Sequence, residues 1–281
     1  MDSTKFIAIL GTGRNGTYAL SKILDLDINS EVHHEYNFEP MLKLGFLKHY
    51  GLISASDTDK ALRESHFSAS FYSQSSKFID CSNALSWLVP SIASQFSNLK
   101  FVDVPRNGRR VVSSFYNKFK DVMYPLEAIK VMDSWLKNPE SSIVMPAPHK
   151  KYWRILPPIS FNESVSESEV RFERYRFIAI CNYWVQTNKL IQSNTLKLPS
   201  SLVHRVKFEE LFQPKNFKTL ADYLEISVTS EMLDMLNHPI NVHEPINYRL
   251  TDEQEEVFID ICGETMIDLG YNPQDDYVIK Y

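Results

Sequence analysis

An α/β fold, a central parallel sheet flanked by helices in a single domain over residues 1–281, is predicted by three features of this chain. Short apolar runs at residues 6–10, 78–79, 100–104 and 202–208 alternate with longer helical patterns, the rhythm of parallel strands joined by crossover helices. Two of these runs lead directly into a polar loop and then a helix, an order that builds anion sites. With 43% hydrophobic and 23% charged residues, the chain can bury one sizeable core.

The first loop, Gly11-Thr12-Gly13-Arg14-Asn15-Gly16-Thr17, lies between the run at residues 5–10 and a helix expected over 17–26. Backbone N–H groups and the positive end of the helix dipole would face a bound anion there. Gly11, Gly13 and Gly16 spell G-x-G-x-x-G, the dinucleotide fingerprint, and Glu31 or Glu35 stands near the acidic position expected about 20 residues on. Gly11 and Gly16 also have Walker A spacing. Thr17-Tyr18, however, occupies the place of the Lys-Ser/Thr that holds the β/γ-phosphates and Mg²⁺, so an ATP or GTP kinase is a poor match.

After a helix expected over 84–96, the run at 100–104 ends in the second loop, which begins at Arg106. A helix starting near Gly108 carries Ser113 and Ser114 about two turns in. An arginine fork at a strand's carboxyl end and a serine hydroxyl suit the oxygens of one phosphate. Arg109 and Arg110 read equally well as solvated helix charges. The two loops lie about ninety residues apart and together suggest a nucleotide with phosphate-like groups at its 5′ and 3′ ends.

Further helices are expected over 109–119, 126–135, 172–192 and 252–269. In the third of these, Ile178, Cys181, Val185 and Asn188 share a face that reads as core. Residues 139–169 contain Pro139, Pro146, Pro148, Pro157 and Pro158 and a serine-glutamate run, the composition of an irregular excursion or lid. Within it, His149, Lys150, Lys151, Tyr152, Trp153 and Arg154 form a basic-aromatic cluster suited to a sugar or an anionic acceptor. A solvated charge run explains the cluster equally well.

At these residues the chain resembles the PAPS-dependent sulfotransferases, of the bacterial or carbohydrate type. Gly11 to Thr17 is similar to their 5′-phosphosulfate loop, with Arg14 in place of the lysine of the cytosolic aryl and steroid branch. Arg106 and Ser114 have the eight-residue spacing of the family's 3′-phosphate motif. Val206 to Leu211 followed by Leu220 to Leu224 resembles the family's strand, Glu-Asp-Leu and short-helix segment. Leu250 to Gln254, with Ile261 to Gly263 and Leu269 to Tyr271, resembles the terminal helix of bacterial members. The Arg-Lys-Gly loop of the aryl and steroid branch is absent, and Arg249 stands in its approximate place. The resemblance implies a P-loop-like nucleotide-binding topology and PAPS as donor. It also implies contacts from Gly13, Arg14, Asn15, Gly16, Thr17, Tyr18, Arg106, Ser114 and Arg249, and no metal.

A formal net charge of −5 argues against an extended nucleic-acid or anionic-membrane footprint. Cys81, Cys181 and Cys262 are far apart with no C-x-x-C pair, so reduced, buried thiols are expected rather than a zinc site or disulfide framework. There is no cleavable signal pattern and no apolar stretch of about 18 residues, so a cytoplasmic location without a membrane span is expected.

Sulfuryl transfer would need a base for the acceptor hydroxyl and a cation for the transferring group, with positioning and charge stabilisation dominant. Arg14 is the expected cation. Val32-His33-His34-Glu35 follows the first helix, where the resembled family places a catalytic Glu or His, and the resemblance thus implies Glu35 as the preferred base and His34 as the second choice; a merely capping or ion-pairing Glu35 competes with that role. The acceptor is expected to be a small molecule or carbohydrate. An NAD(P)-binding oxidoreductase using G-x-G-x-x-G and a non-catalytic nucleotide-binding module are the alternative readings.

Overall fold

In the computed structural model, residues 4–139, 149–237, 249–274 and 277 are described. Along the chain, β1 (Lys5–Leu10) is followed by α1 (Thr17–Leu24), β2 (Ser30–His34), α2 (Phe38–His49), α3 (Ala55–Leu62), α4 (Ser68–Tyr72) and β3 (Lys77–Cys81). Next come α5 (Val89–Gln95), β4 (Leu99–Asp103), α6 (Gly108–Lys118), α7 (Leu126–Lys137), α8 (Glu163–Ser166) and α9 (Glu169–Thr195). The series ends with β5 (Val203–Arg205), α10 (Phe208–Leu211), α11 (Pro214–Leu224), α12 (Ser230–Leu236) and α13 (Asp252–Asp268). The chain divides into two compact units, Met1–Arg106 with Thr187–Pro245 and Asn107–Gln186 with Ile246–Tyr281.

The first unit holds a five-stranded, all-parallel sheet in the order β2-β3-β1-β4-β5. Phe6 through Leu10 are wholly buried, as an unbroken apolar run in a parallel sheet requires. Ile7, Ile9, Ile79 and Val102 pack with Leu20 and Ile23 of α1 and with Phe217 and Leu220 of α11. Each such side chain contributes about 1.5–3 kcal/mol of transfer free energy. From β1 the chain passes beyond β3 to the β2 edge, whereas β4 lies on the other side of β1. That reversal opens a crevice outside the carboxyl end of β1, where ligands bind in sheets of this kind. Ile9, Cys81 and His34 lie level across the sheet, and Leu10 is paired with Asp103.

Several elements differ from expectation, among them α2, α3 and α4, for which no helix is expected. The helix expected over 84–96 is divided into a 3₁₀ stretch, Asn83–Trp87, and α5, because Pro90 has no N–H and suits a first helical turn. The strand expected over 202–208 ends at Arg205, and Phe208 begins α10. β2, Ser-Glu-Val-His-His, carries little apolar signal because it is a half-buried edge strand.

In the second unit, α13 opens with a capping box. The Thr251 side chain accepts the Gln254 N–H, and Gln254 Oε1 accepts the Thr251 N–H at 3.1 Å. On α9, Cys181 and Asn188 are buried as expected, Ile178 and Val185 are half-buried, and the buried surface extends to Tyr175, Phe177, Ile180 and Trp184. Cys81, Cys181 and Cys262 are all free and buried. Of the expected excursion, residues 140–148 lie outside the described residues. In the rest, α8 is one short turn, and Trp153, Ile155 and Phe161 are buried.

Candidate functional site

The loop after β1 is held from behind by buried polar side chains of its own unit. The Asn15 amide donates to the carbonyls of Leu10 (3.3 Å) and Val104 (3.1 Å), tying the ends of β1 and β4 together. Ser86 Oγ accepts the Gly11 N–H at 3.0 Å and donates to the Gly11 carbonyl at 2.9 Å. Gly13 (φ 81°), Arg14 (φ 58°) and Gly16 (φ 74°) are left-handed. At Gly16 the requirement for glycine is twofold, since a Cβ there would also lie 2.2 Å from the Phe208 ring. Arg14 has no such exemption, and a non-glycine residue held in this region marks a site where the surrounding structure fixes the backbone. α1 begins at Thr17, and its N-cap, Gly16, brings no side chain to the first N–H groups. A helix start without a side-chain cap is the arrangement in which the first N–H groups can receive an external acceptor.

Arg106 joins the same loop. Its Nη1 donates to the Arg14 carbonyl, and its guanidinium lies 4.1 Å over the Phe208 ring. Burial pushes the Arg14 guanidinium below its ordinary pKa, and the Glu35 charge opposes that shift. Glu35 and Arg14 therefore share one field.

His34 ends β2, and Glu35 turns away from it with φ 61°. The Glu35 N–H still bonds to the Cys81 carbonyl at 3.3 Å, while Asn83 Nδ2 donates to Glu35 Oε1 at 3.3 Å. His34 Nε2 lies 3.5 Å from Thr17 Oγ1, and the His34 ring meets Tyr18 edge-on at 5.3 Å. Burial lowers the His34 pKa; Glu35 and Asp80 pull it up and Lys22 pulls it down. That direction favours the neutral imidazole, the form that can accept a proton.

Beneath this turn lies a pair that sequence reasoning missed. Asp80 and His66 are both fully buried, with Asp80 Oδ2 3.1 Å from His66 Nε2. Asp80 Oδ1 accepts the Tyr36 N–H at 3.1 Å, and Asn37, also left-handed, donates to Ser65 Oγ at 2.8 Å. Ser65 Oγ is in turn 3.2 Å from His66 Nδ1. The network pins the residues that follow Glu35. One signal was available in the sequence: a carboxylate in the middle of the apolar run Phe78-Ile79-Asp80-Cys81.

The second loop differs from expectation at its helix start. The α6 N-terminus is already engaged, because Asn107 Oδ1 accepts the Arg109 N–H at 3.0 Å and the Gly108 N–H points to Met266 Sδ at 3.2 Å. Ser114 is half-buried in the second unit, and its pairing with Arg106 rests on their sequence spacing. Arg109 is structural: its Nε bonds to Glu255 Oε2 at 2.8 Å and its guanidinium lies 4.9 Å over Phe258. Arg249 is exposed in the second unit. Among the described residues, no group of His, Cys, Asp and Glu could hold a metal ion, and no helix is long and apolar enough to cross a membrane.

No protein-family model matches this sequence, and no curated protein sequence does either. Solved structures do. The sulfotransferase domain from the Synechococcus PCC 7002 olefin synthase aligns over 94% of this chain and 96% of its own, with a TM-score of 0.51 at 10% identity. The sulfotransferase domain from the curacin biosynthetic pathway aligns over 97% of this chain and 99% of its own (TM-score 0.49, 12% identity). Sulfotransferase STF1 from Mycobacterium tuberculosis H37Rv aligns over 92% of this chain and 77% of its own (TM-score 0.45, 11% identity). The fold is that of a sulfotransferase.

Proposed function

We propose that this chain is a PAPS-dependent sulfotransferase that moves a sulfuryl group to a hydroxyl of a small-molecule or carbohydrate acceptor. One observation carries the reading: a loop bearing Arg14 precedes a helix start without a side-chain cap, and it shares an electrostatic field with Glu35 at the end of β2. The loop fits a phosphosulfate, because its glycines keep side chains away from the helix start and Arg106 reaches it from β4. When bound, the donor supplies a sulfuryl group on a bisphosphate leaving group.

Arg14 holds the sulfuryl oxygens and balances the charge that grows on the bridging oxygen. Glu35, steadied by Asn83 and by the pinned turn behind it, takes the proton of the acceptor hydroxyl. His34 is the alternative acceptor of that proton. Gly13, Asn15, Gly16, Thr17 and Tyr18 are assigned to the 5′ end of the donor and Arg106 to its 3′-phosphate; Ser114 and Arg249 keep the 3′-phosphate role that the family resemblance implies. A cytoplasmic location suits such an enzyme.

The NAD(P) reading loses its geometric support. In the dinucleotide fold, the strand bearing the ribose carboxylate lies beside β1. Here β3 separates β2 from β1, and Glu31 is already engaged by Ser73 (2.5 Å) and His33 (2.8 Å). The deciding experiment is incubation with sulfate-labelled PAPS and a mixed acceptor extract, followed by identification of the labelled product. No labelled product, together with tighter binding of NADH than of adenosine 3′,5′-bisphosphate, would overturn the proposal.

A further inference from the structure

Three arginines, Arg109, Arg154 and Arg176, are buried inside the second unit, and the last two are treated very differently. Arg176, 1% exposed, is consumed by the fold. Its Nε donates to the Met123 carbonyl (2.9 Å), its Nη2 to the carbonyls of Tyr116 (2.9 Å) and Phe115 (3.4 Å), and its Nη1 to Glu173 (3.4 Å). Arg154, 6% exposed, has none of this. Its Nε and Nη1 are buried and meet no hydrogen-bond acceptor among the described residues. Around its guanidinium lies the ring of Tyr183, centred 5.9 Å away.

The neighbours of Arg154 are committed. Lys151 and Tyr152 both bind the Glu127 carboxylate, at 3.1 and 2.8 Å. Trp153 is buried edge-on against Trp135, the Ile155 carbonyl accepts the Tyr124 hydroxyl, and the Arg154 N–H bonds to the Tyr152 carbonyl at 2.9 Å. The segment is thus fixed on both sides of Arg154, which holds the guanidinium in place before any ligand arrives. An arginine cannot shed its charge, and a buried charge without a partner costs far more than a surface one. Arg176 has Nε, Nη1 and Nη2 all engaged by the fold, and Arg109 is held at Nε by Glu255 with one buried donor, Nη1, unmatched; Arg154 has neither an ion pair nor an acceptor at Nε or Nη1 among the described residues.

We propose that Arg154 anchors an oxyanion-binding site of the second unit, and that its ligand is a carboxylate. One cation beside one aromatic ring suits a small organic acid, whose apolar body would pack on the Tyr183 ring while its carboxylate takes the unused donors. The site lies beyond the function proposed above and does not depend on it.

The test uses the full chain without nucleotide. Propionate, its neutral isostere propionamide, and inorganic sulfate are titrated by tryptophan fluorescence and by thermal unfolding, with wild type, Arg154→Lys and Arg154→Met. Wild type is expected to bind propionate and to gain about 2–4 °C or more in Tm at saturation, while propionamide does nothing. Arg154→Met should bind propionate at least about tenfold more weakly. It should also be no less stable than wild type without ligand, because it relieves an unpaired buried charge. Arg154→Lys should fall between the two, since it keeps the charge and loses the fork. Binding of sulfate in preference to propionate would overturn the carboxylate assignment. Undiminished propionate binding by Arg154→Met would overturn the site. A marked loss of stability in Arg154→Met, with no propionate response in wild type, would also overturn it, because Arg154 would then be paired within the chain. Because donor and acceptor are absent, the result is independent of whether sulfuryl transfer occurs.

Discussion

Gly16→Ala probes the junction of loop and helix on which the nucleotide site depends. Two costs follow from the structure. The left-handed φ of 74° costs an L-residue about 1–2 kcal/mol. The added methyl would meet Phe208 at 2.2 Å from Cε2 and 2.7 Å from Cδ2. That ring is not free to swing away, because Arg106 lies over it at 4.1 Å and the Phe208 N–H is bonded to the Pro105 carbonyl at 2.8 Å. Overpacking of this kind adds about 1–3 kcal/mol, for a total of about 2–5 kcal/mol. Phe208→Leu in the Gly16→Ala background removes the overlap and leaves the backbone cost. Urea unfolding of wild type, both single variants and the double variant should therefore show a favourable coupling of about 1 kcal/mol or more. Additivity within about 0.5 kcal/mol would refute the contact, and an unperturbed Gly16→Ala would refute the backbone geometry as well.

Arg106→Ala should weaken adenosine 3′,5′-bisphosphate about ten- to a hundredfold in calorimetry, and adenosine 5′-phosphosulfate far less, since only the first carries a 3′-phosphate. Equal losses would remove Arg106 from that role. Glu35→Gln should keep nucleotide affinity and lower turnover about 10²–10⁴-fold, whereas Arg14→Ala should lower both. If His34→Asn is folded and inactive while Glu35→Gln turns over normally, the base is His34. Lys100 foremost, then Lys5, hold the Glu225 carboxylate down to about 2. A depressed folded value contributes stability above the unfolded value of about 4.3, and that contribution is lost as pH falls toward 2. Glu225→Gln should accordingly flatten the stability curve between about pH 4.5 and pH 2, and an unchanged acid limb in chemical denaturation would contradict the ion pairs.

Local signals in the sequence determined the parallel α/β class, β1 with its glycine loop, the start of α6 near Gly108, and the long helices α9 and α13. These rest on unbroken apolar runs, glycine spacing and helical periodicity, all of which act over neighbouring residues. Arg14 was legible as a candidate through its glycine loop, and Glu35 and His34 through the family resemblance, which places a catalytic Glu or His after the first helix. The polar edge strand β2 was not legible, because its half-buried residues carry no strong pattern. The split at Pro90 was written in the residue itself and outweighed by the apolar periodicity around it. Only the tertiary structure decided the strand order that separates β2 from β1, and with it the case against a dinucleotide fold. It alone also decided that Arg109 is ion-paired to Glu255 and Arg176 bonded to backbone carbonyls while Arg154 has neither, and that Asp80 and His66 meet beneath the turn after Glu35. Whether a charge is solvated, paired or left over depends on groups brought from distant parts of the chain. No spacing along the sequence records that.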